Sequence, residues 1–270
     1  MSVLQQGSSG AEVADLQNKL LARGFDPGGS DGSFGPGTAA AVEAFQRSVK
    51  LNDDGVVGPQ TAAALGFVIP PPVASAIPAV TLAMVCQMFP NTPAQNIEQH
   101  LPLVLNALVA PQLANKPMIL MALGTIRAEV ECFLPISEGQ STLNTSPGGH
   151  PFDLYDSRTD IGNQRPPDGE LFKGRGFVQL TGRSNYQVHG NLIGLGNQLI
   201  DNPDLANDPA IAAQLLASFL KSHEQDISTA LATGNLGRAR QLVNGGGNGI
   251  DRFIAAYNIG KSLIPDSVSA

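Results

Sequence analysis

Apolar residues recur at Val13, Leu16 and Leu20, the i, i+3, i+7 spacing of one helix face. Ser9 and Glu12 stand ahead of that stripe as S-x-x-E and predict a capping box at its start. Val42, Phe45 and Val49 form a matching stripe on a second predicted helix. A short repeat surrounds the second stripe: D-G-S-F-G-P-G-T-A-A-A begins at Asp31 and D-G-V-V-G-P-Q-T-A-A-A at Asp54. In each copy the Asp-Gly and Gly-Pro pairs set turns, the intervening apolar residue (Phe34, Val57) plugs a core, and the alanines continue as helix. Gly66 to Val80 is rich in proline, including Pro70, Pro71 and Pro72, which predicts an extended spacer. The chain therefore divides into a small domain at 1–66, a linker at 67–80 and a larger domain at 81–270.

From Thr81 the pattern is mostly helical. Helices are predicted over residues 81–89, roughly 94–109, Pro117 to about Phe133, 209–223, 235–243 and 249–258, with Pro117 suited to a first turn. Asn207-Asp208-Pro209 supplies an N-cap and first-turn proline for the apolar run that follows. The alternation in F-V-Q-L-T at 177–181 predicts a minor β element in an otherwise mainly α fold, with Gln179 and Thr181 opposite Val178 and Leu180. Gly139 to Leu171 is polar, aperiodic and rich in Gly, Pro, Asp and Asn; a stretch of that length reads as a binding loop forming one wall of a cleft.

With 270 residues the chain is long enough for two modest domains without covalent staples. It is 42% hydrophobic and 14% charged, with no apolar run of transmembrane length, so no membrane insertion is expected. The opening M-S-V-L-Q-Q-G-S-S-G lacks the basic and apolar regions of a secretory signal. Synthesis in the cytoplasm is expected, with any action outside following lysis or a non-classical release. A net charge of −7 and a pI near 5.0 argue against a nucleic-acid partner, which needs a basic face. Cys86 and Cys132 lie in apolar helical patterns and read as buried, reduced thiols. His100, His150, His189 and His223 are scattered, with no zinc-ligand spacing, so neither metal nor other cofactor is expected.

The candidate chemistry lies in two carboxyls. Glu129 ends the apolar run P-M-I-L-M-A-L-G-T-I-R-A-E, where burial and the negative helix terminus favour a protonated acid; Glu131 competes for that role from a different face. Glu138 follows on a loop with water access, which suits a base. Gly174-Arg175-Gly176 permits close backbone approach to a ligand, Gln179 suits an acetamido or hydroxyl group, and Thr181 suits a water. The turn Asn244 to Gly249 is read as lining the same site. Cleavage of a glycosidic bond needs this set: one carboxyl to protonate the leaving oxygen and another, ionised, to activate water or attack.

Residues 3–65, through the order L-Q-N-K-L, G-F, D-G-S-F-G, A-V-E-A-F-Q and D-G-V-V-G-P-Q-T, resemble the three-helix peptidoglycan-binding module. Residues 81 to about 260 resemble the catalytic domain of glycoside hydrolase family 19, the chitinases and related endolysins. The matching pieces are A-E-V-E-C-F-L-P-I-S-E at 128–138, Y-D-S-R-T-D-I-G-N at 155–163, D-G-E-L-F-K-G-R-G-F-V-Q-L-T-G-R-S-N-Y at 168–186, N-P-D-L-A-N-D-P at 202–209 and V-N-G-G-G-N-G at 243–249. The resemblance implies a lysozyme-like, mostly helical domain, Glu129 as general acid, Glu138 as general base, and inversion at the anomeric carbon. It also implies Thr181 beside the nucleophilic water and Gln179, Asn185, Asn244, Arg252, Arg175 and Tyr155 as sugar or cleft contacts. The family usually has His directly before the acid; Ala128 stands here, with Val130-Glu131-Cys132 after it.

The expectation is a monomeric, cofactor-free cell-wall hydrolase cutting the β-1,4 glycan of peptidoglycan. A chitinase is the nearest alternative, a non-catalytic wall-binding protein another, and a zinc peptidase or amidase a third that lacks its ligand pattern. Peptidoglycan is favoured over chitin by the N-terminal module, by the absence of tryptophan platforms, and by a loop at 139–171 able to accommodate lactyl and peptide groups.

Overall fold

The computed structural model describes residues 3–67, 75–244 and 248–265, which fall into two compact units, Met1–Val73 and Ala74–Ala270. Thirteen α-helices and three isolated β-bridges form the described architecture. The first unit contains α1 (Ala11–Leu21), α2 (Pro36–Ser48) and α3 (Pro59–Leu65). The second contains α4 (Leu82–Met88), α5 (Ala94–Ala107), α6 (Lys116–Glu129), α7 (Asp168–Leu171), α8 (Arg183–Leu192), α9 (Gln198–Asp201), α10 (Pro209–Ser222), α11 (Glu224–Ala232), α12 (Leu236–Asn244) and α13 (Ile250–Leu263).

In the first unit Val13, Leu16, Leu20, Val42 and Phe45 all enter the core, as do the two plugs Phe34 and Val57. Val49 instead lies past the end of α2 and is exposed. The predicted capping box does not form: Ser9 pairs with Ser33 in a β-bridge, so α1 starts one residue later with Gly10 as N-cap.

The repeat has a function in the packing that its turn residues alone do not convey. Each copy closes around a buried glutamine from the preceding helix. Gln17 Nε2 donates to Asp31 Oδ1, the Ser33 carbonyl and Thr38 Oγ1, while its Oε1 accepts from Gly32 N–H. Gln46 repeats the pattern with Asp54, the Val56 carbonyl, Thr61 and Gly55 N–H. Both glutamines are 1% exposed, and each amide satisfies its own polar atoms on the turn that follows.

Pro70–Pro72 lie outside the described residues. The residues on either side of that segment correct the spacer: Phe67 is buried in the first core, and Ala76 is buried in the second with its N–H on the Ala114 carbonyl. Ile77 and Val80 also pack on the second core, because their side chains are apolar and a 3₁₀ turn at Ile77–Ala79 faces them inward.

The second unit is built around α6. Every residue from Met118 to Ala128 is buried, and α13, α10 and α11 pack around it. Asn115 caps the helix through Met118 N–H, ahead of Pro117. Gly124 lets α13 approach closely, since a Cβ there would lie 2.8 Å from the Phe253 ring. The helix stops at Glu129, four residues before the predicted end. Phe133 turns into the left-handed region (φ 55°) to bury its ring against Phe89 and Phe177, and the Glu131 and Cys132 carbonyls accept from Thr92 Oγ1 and Asn96 Nδ2 instead of from a further helical turn. Cys132 is thus outside any helix, and both cysteines are free and half-buried rather than fully buried.

Asp208 caps α10 through the Ala210 and Ile211 N–H groups. α8 and α11 were not predicted; α8 presents only Tyr186, His189 and Gly190 inward, too few apolar positions for a helical stripe. The polar stretch 139–171 is ordered by side chains rather than by periodicity. Its fully buried Asn144 and Asn163 bond to surrounding backbone, and two 3₁₀ turns (Asp153–Tyr155 and Thr159–Ile161) precede α7. Among the described residues, no helix is long and apolar enough to cross a membrane.

Replacing Gln46 with Leu strands the buried Gly55 N–H and the partners of the amide, a loss of about 2–4 kcal/mol from several bonds worth about 1 kcal/mol each. Scanning calorimetry of the full chain is expected to show the first unit's transition lowered by more than about 10 °C and the second unit's unchanged. The same network sets an acid limit. Asp31 is held below its ordinary value of 3.8 chiefly by the Gln17 amide, and Asp54 chiefly by the Val56 N–H and then Gln46. Their contribution is therefore present above pH 3.8 and lost as the pH falls below it, so the first unit's transition drops in that range.

Candidate active site

α6 delivers Glu129 as its last helical residue. The carboxyl is not sealed in apolar surroundings as the helix pattern predicts. It is 18% exposed, and its Oε1 accepts from Nη2 of Arg240, a fully buried residue of α12, at 2.7 Å. The same nitrogen donates to the Asn248 carbonyl at 3.1 Å. Around the helix end the chain is tightly closed: a Cβ on Gly249 would lie 2.8 Å from the Ala128 carbonyl, and Arg252 Nη2 donates to that carbonyl at 2.9 Å.

Glu131 faces away into a different set of partners. Arg127 lies 2.5 Å from it, Arg252 3.1 Å and Asn91 Nδ2 3.4 Å. Arg127's hydrogen bond, with help from Asn91 and Arg252, holds this carboxyl below the ordinary range. Arg252 is thereby placed as a clamp on the α6 terminus.

Glu138 lies on the loop after α6, and its backbone N–H donates to the Gly174 carbonyl at 2.7 Å. Three neutral donors grip its carboxylate. Asn144 Nδ2 (2.9 Å) and the Tyr155 hydroxyl (3.0 Å) both reach Oε1, and Gly174 N–H reaches Oε2 at 3.2 Å. Burial first, then the charge and hydrogen bond of Glu138, push the Tyr155 phenol up to about 12, so it stays a donor throughout the neutral range.

The Gly174 face gathers the remaining groups. A Cβ on Gly174 would lie 2.9 Å from Gln179 Oε1, 3.2 Å from Glu138 Oε2 and 3.3 Å from Thr181 Oγ1, so these three oxygens converge on one side of a residue with no side chain. Residues 176–179 form a tight turn closed by the Arg175–Leu180 bridge rather than the predicted strand. Phe177, Val178 and Leu180 are all buried, which breaks the alternation, while Gln179 and Thr181 remain partly exposed. Gln179 takes a left-handed backbone (φ 51°) and is pinned there by Nε2 bonds to the Ile136 and Gly176 carbonyls, leaving Oε1 toward Gly174. Thr181 donates to the Gln179 carbonyl, and Asn185 Nδ2 donates to the Thr181 carbonyl at 2.8 Å.

Arg175 is turned inward. Its guanidinium is 5% exposed and engages Asp204, the Leu171 carbonyl and the Tyr186 hydroxyl, so it anchors the turn instead of offering charge to a ligand. The Asn244 side chain and residues 245–247 lie outside the described residues. Among the described residues no His, Cys, Asp and Glu group is placed to hold a metal ion.

The structure thus brings Glu138, Tyr155, Gln179 and Thr181 together, with Asn185 behind them, and sets Glu129 in its own ion pair. Sequence reasoning missed Arg240 and Asn144. Arg240 carried a signal, being a charge on the face that Leu236, Ala239 and Val243 define at helical spacing.

The titration of Tyr155 reports this geometry. At pH 10 an ordinary phenol is half ionised, whereas all three tyrosines here are raised. Glu138→Gln removes the charge, so absorbance titration is expected to show more phenolate at pH 10 than in the parent, and Tyr155→Phe to abolish that difference.

Residues 9–65 match the family described as "Putative peptidoglycan binding domain". A probable N-acetylmuramoyl-L-alanine amidase of Bacillus licheniformis is 42% identical over 65 residues, 23% of this chain and 18% of that protein. Chitinase 8 of Oryza sativa subsp. japonica is 35% identical over 89 residues, 33% of this chain and 32% of its own length. A glycosyl hydrolase family 19 domain-containing protein of Haemophilus influenzae is 26% identical over 104 residues, 38% of this chain and 48% of its own. The chain spans from about a fifth to about half of the length of these relatives. It carries a peptidoglycan-binding domain at its N-terminus, and part of the chain is similar in sequence to a protein with a glycosyl hydrolase family 19 domain.

Proposed function

We propose that the chain is a cell-wall lytic glycoside hydrolase, cutting β-1,4 bonds of peptidoglycan with Glu129 as general acid and Glu138 as general base. The observation that carries this reading is the convergence of Glu138 Oε2, Thr181 Oγ1 and Gln179 Oε1 on the bare face of Gly174. Two of those oxygens, the carboxylate and the amide carbonyl, are pure acceptors, which suits a bound water whose hydrogens must point away from the sugar it attacks.

Glu138 then takes the proton as the water adds to the anomeric carbon, while Thr181 and Gln179 fix the direction of its lone pair. Glu129 gives its proton to the leaving oxygen, so the glycosidic C–O bond breaks without releasing an alkoxide. The three neutral donors on Glu138 hold its orientation without a full positive charge against it. Glu131, committed to two arginines, has neither role.

Both peptidoglycan and chitin are β-1,4 chains bearing N-acetyl groups, and the relatives include a chitinase, so the acid and base alone do not choose between them. The N-terminal domain supports peptidoglycan, because a wall-binding module raises the local concentration of the catalytic unit on that polymer.

Glu129→Gln and Glu138→Gln are each expected to lower turnover on purified walls by at least about 10²-fold with wall sedimentation retained, and Thr181→Val by less. Mass spectrometry of borohydride-reduced digests assigns the linkage. Muramitol ends are expected; glucosaminitol ends would move the cut to the other bond, and cleavage of chitin oligomers with inert peptidoglycan would make the protein a chitinase.

A further inference from the structure

Arg240, beside the candidate acid, has a geometry unusual for a merely structural ion pair. It is fully buried, yet among the described residues only Nη2 is engaged, toward Glu129 Oε1 and the Asn248 carbonyl. Nε and Nη1 are buried without a hydrogen-bond partner among the described residues. A guanidinium is always charged and has donors only, so three unmatched N–H groups in the interior, one on Nε and two on Nη1, are costly unless the arrangement serves another state of its neighbour.

We propose that Arg240 is a positioning residue that dictates which oxygen of Glu129 carries the transferable proton and that receives the charge left behind when the proton departs. The inference rests on the reading of Glu129 as general acid. Because Arg240 only donates, the oxygen it touches, Oε1, must accept. In the neutral acid the proton therefore resides on Oε2, the oxygen Arg240 leaves free. During bond cleavage that proton passes from Oε2 to the glycosidic oxygen, the carbon–oxygen bond electrons go to the leaving hydroxyl, and Glu129 becomes a carboxylate. The negative charge then forms next to a cation already fixed in a dry site, an interaction stronger in the transition state than in the ground state. Ala128 and Gly249 keep the end of α6 and the start of α13 in contact.

A residue acting through the general acid matters only when the leaving group needs a proton. The full chain is assayed on a GlcNAc–MurNAc tetrasaccharide and on the matching dinitrophenyl β-glycoside, whose leaving group departs without protonation. Arg240→Met is expected to lower kcat for the sugar–sugar bond by about 10²-fold with little change in KM, and dinitrophenol release by less than about 5-fold. Arg240→Lys, which retains a donor and a charge, is expected to fall between Arg240→Met and the parent, and it carries the test if Arg240→Met does not fold. In a Glu129→Gln background Arg240→Lys is expected to add less than about 2-fold, since the two residues act as a unit. Equal losses on the two substrates, or an additive loss in the double variant, would overturn the proposal and leave Glu129 as the acid. Unimpaired sugar–sugar cleavage by Glu129→Gln would instead remove the acid assignment, and the role of Arg240 with it.

Discussion

A carboxyl at the end of a helix buried along its whole length has to find a partner inside the protein, and the meeting of Glu129 with Arg240 is the constraint around which the second unit is organised. α6 packs against α13, α10 and α11, and its terminus meets α12 through Arg240. Asn248 and Gly249 are held at the same terminus, by the Asn248 carbonyl on Arg240 and by Gly249 against Ala128. Removing the guanidinium alone would leave a helix-terminal carboxyl without compensation, and removing the carboxyl would strand a buried cation. The pair therefore fixes the position of the acid as firmly as the apolar packing fixes the helix.

The second carboxyl is held by a different principle. Glu138 meets Asn144, Tyr155 and the Gly174 N–H, none of them charged. Neutral donors orient a carboxylate through hydrogen bonds weaker than those of a charged partner. Glu131 is the internal contrast, since two arginines lock it as a permanent anion. Three glutamates within ten positions thus acquire three environments, and the proposed division into acid, base and structural anion follows from the partners of each rather than from their spacing.

Periodicity made the cores legible. Val13, Leu16, Leu20, Val42 and Phe45 are where their spacing puts them, and the apolar run of α6 is as buried as it looks. What it left out has physical reasons. Gln17 and Gln46 carry no local mark of their buried role, because their partners lie 8 to 21 positions away. Ser9 reads as a cap until its backbone is claimed by Ser33. α8 and α11 escape because a polar helix held by a few inward residues has no stripe. At the candidate site, the G-R-G-F-V-Q-L-T segment announced Gln179 and Thr181, yet it implied a strand where a turn closed by Arg175 and Leu180 performs the same presentation. Asn144 and Tyr155 reach Glu138 through a loop without periodicity, so their convergence follows from tertiary hydrogen bonds and no spacing rule reveals it.

The proposed chemistry requires Glu138 to act through a water instead of attacking the sugar itself. A base working through water needs roughly 6.5–9.5 Å between the two carboxyls and delivers the nucleophile to the face opposite the leaving group, which inverts the anomeric centre. Proton NMR of the first product, recorded before mutarotation, tests this most directly. The α-anomer is the predicted signal from the β-linked glycan; the β-anomer appearing first would mean a covalent, retaining route and would contradict the role assigned to Glu138.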